Sequence, residues 1–250
     1  MMKLPLATLF VGALPLLVIL PPHAMAEETT PPAQVEAVER IIHDYLLSHP
    51  EVLIEALRSA LEKEKEQSGA RAHDALIARK SELFEDPMAP IGGNAKGDVT
   101  IVEFFDYRCP YCKQVEPSLD ALLREDERLR VVYKEWPILG KDSVYASRVA
   151  LAAVKQGKYD VFHSAMMATQ GQINEEVILK VANSVGLDVA KIKADMNTAE
   201  IEDILTRNKN LAEALGIHGT PAWVIGDEMI AGAVDIATMK AKIAAVRKSG

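Results

Sequence analysis

The sequence predicts an α/β domain with a large helical insertion, preceded by a helical arm. Three observations carry this. A β-prone run, Val99–Phe105, feeds into Cys109-Pro110-Tyr111-Cys112, which holds both cysteines of the chain. From Asp142 to Leu215 the apolar residues recur almost throughout at helical spacing. Between Gln34 and Phe84 the apolar residues also form helical stripes, without the β-prone runs found further on.

The chain opens with what reads as an export signal over 1–26. Lys3 is the only charge before Glu27, Leu4–Leu20 is apolar, and Ala24-Met25-Ala26 has the small-x-small form of a cleavage site. At about 17 residues the run approaches the lower limit for a membrane span, so an uncleaved anchor is the competing reading. Pro5, Pro15, Pro21 and Pro22 favour cleavage. No Arg-Arg pair precedes the run and no cysteine lies near the site, which points to a Sec-type signal without lipid attachment.

Residues 27–87 read as a helical oligomerisation arm and linker. After a polar, proline-containing start, Val35, Val38, Ile42 and Tyr45 step at threes and fours. Ser48-His49-Pro50-Glu51 has the form of a capping box opening a second helix. Leu53, Leu57 and Leu61 continue an apolar stripe, Glu62–Glu66 is charged all round, and Leu76–Phe84 resumes a weak stripe. These stripes either fold back onto the main domain or pack against copies of themselves. Asp86-Pro87-Met88-Ala89-Pro90 reads as the boundary.

Residues 88–250 read as one domain with its insertion at about 142–215. Ala89–Gly92 is a candidate short strand, and Val99–Phe105 a strand buried on both faces. A helix runs from Cys112 to about Glu125, and a second strand from Val131 to Trp136. Four helices fill the insertion, broken at Gly157, Gly171 and Gly186 and closed at Gly216. Ala222–Ile225 and Glu228–Ala231 flank Gly226-Asp227 as a hairpin, and Asp235–Lys248 is a final amphipathic helix.

Composition narrows the function. The formal net charge is −8, and it becomes more negative once Lys3 is removed, so no basic face for nucleic acid is expected. Two cysteines in one turn do not staple a fold; they read as a thiol–disulfide pair. A strand leading into Cys-x-x-Cys puts Cys109 at a helix start, where free N–H groups and the helix dipole favour a thiolate. Cys109 is the expected nucleophile and Cys112, one turn in, the resolving cysteine. A zinc site needs two further ligands; there is no second Cys-x-x-Cys, and only His163 and His218 are candidates to converge. No metal and no cofactor is expected, although the reduced pair can chemically bind Cu(I).

Together, Glu103-Phe-Phe-Asp-Tyr-Arg-Cys-Pro-Tyr-Cys-Lys113, the helical block and Gly219-Thr220-Pro221 before a hairpin resemble the DsbA-like thioredoxin-fold oxidoreductases of the bacterial periplasm. His49–Leu57 is similar to the helical extension of the ScsC-type subgroup. The resemblance implies a thioredoxin fold with a helical insertion. It implies that Pro221 is a cis-proline facing the cysteine pair, with Thr220 and Tyr111 on the substrate side. It implies that Glu103 is a buried acid able to relay a proton to Cys112, with Lys134 a candidate partner. Threonine before the proline is more typical of isomerases, and tyrosine in place of histidine between the cysteines implies milder acidification of Cys109.

The expected function is periplasmic thiol–disulfide exchange on exported proteins, with isomerase activity and a trimer built by the arm. A DsbD/ScsB-like reductant or a DsbB-like oxidant would be the membrane redox partner. The alternatives are a monomeric dithiol oxidase, a copper-handling protein, and a chaperone-like module with incidental cysteines.

Overall fold

The structure is a computed structural model that describes residues 31–249; the expected signal peptide lies outside them. The chain divides into two compact units, Met1–Ser59 and Ala60–Gly250.

The first unit holds α1 (Pro32–Ser48) and the start of α2 (Pro50–Ala78). Val38, Ile41, Ile42, Tyr45, Leu53 and Leu57 are all exposed. The expected capping box is not what opens α2. Ser48 is the last residue of α1, and its hydroxyl donates back to the Asp44 carbonyl at 2.7 Å. His49 stacks on Tyr45 with ring centroids 4.3 Å apart, and Pro50 begins α2, where a missing N–H costs nothing. Gly69 does not interrupt the helix.

The second unit is built on a sheet. After α3 (Lys80–Phe84) come β1 (Ile91–Gly93), β2 (Val99–Phe105), α4 (Pro110–Glu125) and β3 (Leu129–Glu135). The insertion is α5 (Lys141–Val154), α6 (Tyr159–Ala168), α7 (Glu175–Ser184), α8 (Val189–Asp195) and α9 (Ala199–Ala214). The chain then makes β4 (Ala222–Ile225), β5 (Glu228–Ala231) and α10 (Ile236–Ser249). Of these, α8 is the helix that sequence periodicity does not mark. Seven residues are too few for a stripe, but Asp188 caps it by accepting from the N–H groups of Ala190 and Lys191.

The strands run in the order β1-β3-β2-β4-β5, with β2 and β3 parallel and the other pairs antiparallel. Parallel neighbours need a crossover, and α4 supplies it. At the two-residue hairpin turn, Gly226 adopts a φ of +61°.

Strand alternation makes two cores. Val99, Ile101, Phe105, Val131, Tyr133 and Trp223 face one side, with Cys112, Leu119, Val149 and Phe162. Val102, Phe104, Val132 and Val224 face the other, with Leu76, Leu83, Leu211 and Leu215. The turn at Asp86–Pro90 therefore lies within the second unit. Leu76 and Leu83 lie N-terminal to it and are buried against the sheet, so the apolar stripe of Leu76–Phe84 is covered by this unit.

Candidate active site

β2 ends at Phe105, and the tight segment after it aims the cysteine turn. The Asp106 carbonyl accepts from the Cys109 N–H at 3.0 Å. The buried Asp106 carboxylate accepts from the N–H of Arg108 at 2.7 Å and of Leu139 at 2.9 Å, tying the turn to the loop after β3. Arg108 also donates from its guanidinium to the Leu139 carbonyl. Cys109 is the N-cap of α4 and Pro110 its first residue. Sequence reasoning did not single out Asp106, although an acid three residues before the cysteine, at the end of an apolar strand, is a visible signal.

The two cysteines stand as free thiols in opposite environments. The Cys109 thiol is lowered to about 6, first by the hydrogen bond it receives from Cys112, with help from Thr220 and from the N–H groups of Cys112 and Tyr111. Its Sγ lies 3.2 Å from the Thr220 carbonyl oxygen. Cys112 is fully buried, and burial pushes its thiol far up, with the Cys109 hydrogen bond and the Glu103 charge adding to the rise. The Thr220–Pro221 peptide is cis, and Tyr111, between the sulfurs, is 60% exposed. So the fold brings Cys109, Cys112, Thr220, Pro221 and Tyr111 to one place.

Glu103 lies on β2 on the same face as Ile101 and Phe105, with no exposure. Burial raises its carboxyl well above the ordinary range, and the charges of Glu116, Glu135 and Cys109 raise it further. Neither of its oxygens has a hydrogen-bond partner among the described residues. Lys134 is not its partner. Lys134 pairs in register with Phe104, on the opposite face, and its Nζ donates to Asp86 at 2.7 Å. The two histidines also separate: His163 is buried beside Tyr107 and Glu116, whereas His218 is exposed. Trp223 packs inward and donates from Nε1 to the Gly232 carbonyl at 3.0 Å.

Residues 100–244 match the family model of the DSBA-like thioredoxin domain. The chain belongs to this DsbA-like family. Residues 34–67 match the copper resistance protein ScsC N-terminal domain. Among solved structures, a thioredoxin-like oxidoreductase from Silicibacter pomeroyi DSS-3 is 43% identical, with a TM-score of 0.67, over 68% of this chain and 98% of that one. Proteus mirabilis ScsC in a transitional conformation is 29% identical, with a TM-score of 0.66, over 88% of this chain and all of that one. A curated relative, Na(+)/H(+) antiporter NhaA 3 of Salinispora tropica, is 26% identical over 183 residues. The match spans 28% of that antiporter's length.

The domain is thus of the DsbA/ScsC thiol–disulfide oxidoreductase type. What sequence reasoning missed in this DsbA-like domain is the polar material behind the cysteines: Glu116 on α4, Glu135 at the end of β3, and their link through Tyr107 and His163. Lys113, next to Cys112, was also missed. Its Nζ donates to the carbonyls of Met166 (2.7 Å), Met167 (3.3 Å) and Thr169 (2.8 Å), closing the C-terminus of α6, and burial lowers it to about 8.

Proposed function

We propose that the chain is a periplasmic thiol–disulfide oxidoreductase acting on exported proteins through Cys109-Pro-Tyr-Cys112, with disulfide isomerase activity. The observation that carries this reading is the contrast between two sulfurs one helical turn apart. Cys109, lowered to about 6, is largely thiolate at neutral pH, while buried Cys112 stays a thiol. Cys109 attacks a substrate disulfide and forms a mixed disulfide, releasing one substrate thiolate. Either a second substrate thiol displaces Cys109, which rearranges the substrate, or Cys112 does, which leaves the substrate reduced. Thr220 and Pro221 lie across from the attacking sulfur, and exposed Tyr111 offers a ring to the substrate's apolar side chains.

The exposed stripes of α1 and of the first part of α2, where Leu53, Leu57 and Leu61 lie open, support self-association through the arm of residues 27–87, with a trimer as the proposed assembly and residues 88–250 as the catalytic domain. Several cysteine pairs around one substrate raise the effective concentration for repeated attack. The apolar run Leu4–Leu20 supports export, and a membrane reductant of the DsbD/ScsB kind would keep the pair reduced. A second reading, copper handling, is favoured by the description of the family matching 34–67 and by the two soft sulfurs of the reduced pair.

The test is reactivation of a scrambled ribonuclease by the reduced chain lacking residues 1–26, with its mass in solution measured alongside. Reactivation is expected from an oligomer, and Cys109→Ala is expected to drop it to background. A monomer that cannot reactivate the ribonuclease overturns the isomerase reading in favour of a dithiol oxidase. Tight 1:1 Cu(I) binding without disulfide exchange favours the copper reading.

A further inference from the structure

Beside the cysteine turn lies a cleft of about 290 Å³ to which the exchange chemistry above gives no role. One wall is Arg108, Pro110 and Lys113, from the turn and the start of α4. The other is Thr169, Gln170 and Gln172, from the segment between α6 and α7. Arg108 directly precedes the attacking Cys109 and Pro110 directly follows it, so whatever the cleft holds sits beside the reacting sulfur.

Both walls are fastened. Lys113 Nζ donates to the carbonyls of Met166, Met167 and Thr169, which ties the end of α6 to α4. Ile173, at the far end of the joining segment, is buried in the core with 3% exposure. On the other side the Asp106 carboxylate accepts from the N–H groups of Arg108 and Leu139 and fixes the backbone that carries Arg108. The cleft is therefore formed before any substrate arrives, and filling it costs little ordering of the chain.

Its charge runs against that of the molecule. The whole chain carries a formal net charge of −8, yet the cleft is lined by two cations and no acid. Arg108 gives Nη1 to the Leu139 carbonyl, and Lys113 gives its N–H groups to three carbonyls. Neutral carbonyls satisfy hydrogens but leave the charges standing, and neither cation meets a carboxylate at bonding distance among the described residues. Arg247, by contrast, is clamped between Asp98 and Asp126. Asp106 and Glu116 act on Lys113 only through space, and burial outweighs them, lowering the ammonium to about 8. A guanidinium has five N–H donors in a fork that matches a carboxylate, and only one nitrogen of Arg108 is engaged among the described residues.

We propose that this cleft selects substrates carrying a carboxylate close to the exchanging sulfur, with Arg108 pairing with it and Lys113 holding the cleft in shape and adding positive charge. The inference rests on the exchange chemistry proposed above. The Cys109 thiolate bonds to the substrate sulfur, the substrate disulfide breaks, and the departing sulfur leaves as a thiolate. The carboxylate stays ionised in the cleft throughout, and no proton moves with it. Such a carboxylate belongs either to an acidic side chain next to the cysteine of a protein or to a small thiol of the glutathione class.

The test compares matched disulfides with a neutral leaving group. Short peptides with aspartate or asparagine next to a single cysteine are joined through that cysteine to 2-thiopyridine, and so are glutathione and its diethyl ester. The reduced chain lacking residues 1–26 is mixed with each at pH 7, and release of thiopyridone reports attack by Cys109. Each rate is divided by that of 2-mercaptoethanol with the same disulfide, which removes the intrinsic effect of the acid on the sulfur. The aspartate peptide is expected to react about fivefold faster than the asparagine peptide, the upper end for a solvent-accessible ion pair. That ratio should shrink toward one between about 0.05 M and about 0.5 M salt. It should fall to about one in Arg108→Gln and be kept in part by Arg108→Lys, which retains the charge without the fork. An Arg108-dependent advantage for glutathione over its ester, with none for the aspartate peptide, assigns the cleft to small thiols instead of protein chains. Equal rates within both pairs overturn the inference, and so does a preference that survives Arg108→Gln. The salt series on the unaltered protein decides alone if the variants do not fold: a preference indifferent to salt also overturns it. If no disulfide releases thiopyridone, the oxidoreductase reading fails instead.

Discussion

On one face of the sheet, Lys134 is buried with 1% exposure and donates to Asp86 at 2.7 Å; on the other, Glu103 is buried with nothing to bond its oxygens among the described residues. The two lie on neighbouring strands one register step apart, so alternation alone sends them to opposite cores. Burial alone would raise Asp86, yet the Lys134 ammonium and its hydrogen bond hold it below the usual carboxylate range. Glu103 has only acids and a cysteine for company, and its carboxyl goes up. A paired charge is fixed in one state, whereas an unpaired carboxyl is poised to change state. The first arrangement suits a structural joint and the second suits proton transfer, and the cysteine pair lies on the second face.

The largest effect should come from breaking the paired face. Lys134→Ala leaves Asp86 without its buried counter-ion, at a cost of about 3–5 kcal/mol. The lower end is expected, because Arg207 stands 3.9 Å from Asp86 and can compensate in part. Chemical denaturation measures the loss. Ultraviolet titration of the Cys109 thiolate should stay near 6, since this face does not contribute to it. A large change in that titration would end the division of labour between the faces.

The reverse substitution on the other face should stabilise. A carboxyl raised by folding binds more protons in the native state than in the unfolded chain, so stability falls as pH climbs from the ordinary carboxylate range through the raised value. Glu103→Gln removes that liability. We expect a gain in stability at pH 7, shrinking toward zero as the pH is brought down to about 4, where the unfolded carboxyl is also protonated. Resolution by Cys112 should slow in the same variant. A loss of stability at pH 7 would show that Glu103 is structurally paired after all.

The asymmetry between the faces was only half legible in the sequence. The run Val99–Phe105 carries Glu103 among apolar residues, so its burial follows from the strand pattern, and the hairpin about Gly226 was readable because φ > 0 suits glycine. The exposed faces of α1 were visible as a stripe, but whether Leu76 and Leu83 share that fate depends on a sheet that forms later in the chain. The partner of Lys134 could not be read, because Asp86 is distant in sequence and sits in a turn that looked like a linker. His163 stood out in the sequence only as a candidate zinc ligand; its neighbours Tyr107 and Glu116 lie 56 and 47 residues away. Strand alternation indicates which face a residue takes, while the groups that meet it there are set by helix packing with no local signature.

The smallest effect tests whether the acidity of Cys109 is local or comes from the buried carboxyl cluster. Like charges nearby would raise a thiol, so the lowered value must come from donors at the turn itself: the Cys112 thiol first, then Thr220 and the N–H groups of Cys112 and Tyr111. Thr220→Val keeps the size and backbone of the residue but removes its hydroxyl. One net hydrogen bond is worth about 1 kcal/mol, so the ionisation constant of Cys109 should fall by about fivefold and its midpoint should move above 6. Cys112→Ala, which removes the first-ranked donor, should move the midpoint further in the same direction. Ultraviolet titration of the thiolate in both variants gives the order. If Glu103→Gln moved the midpoint more than either, the carboxyl cluster rather than the turn would govern the nucleophile, and the two cysteines would have to be treated as one titrating unit with the acids behind them.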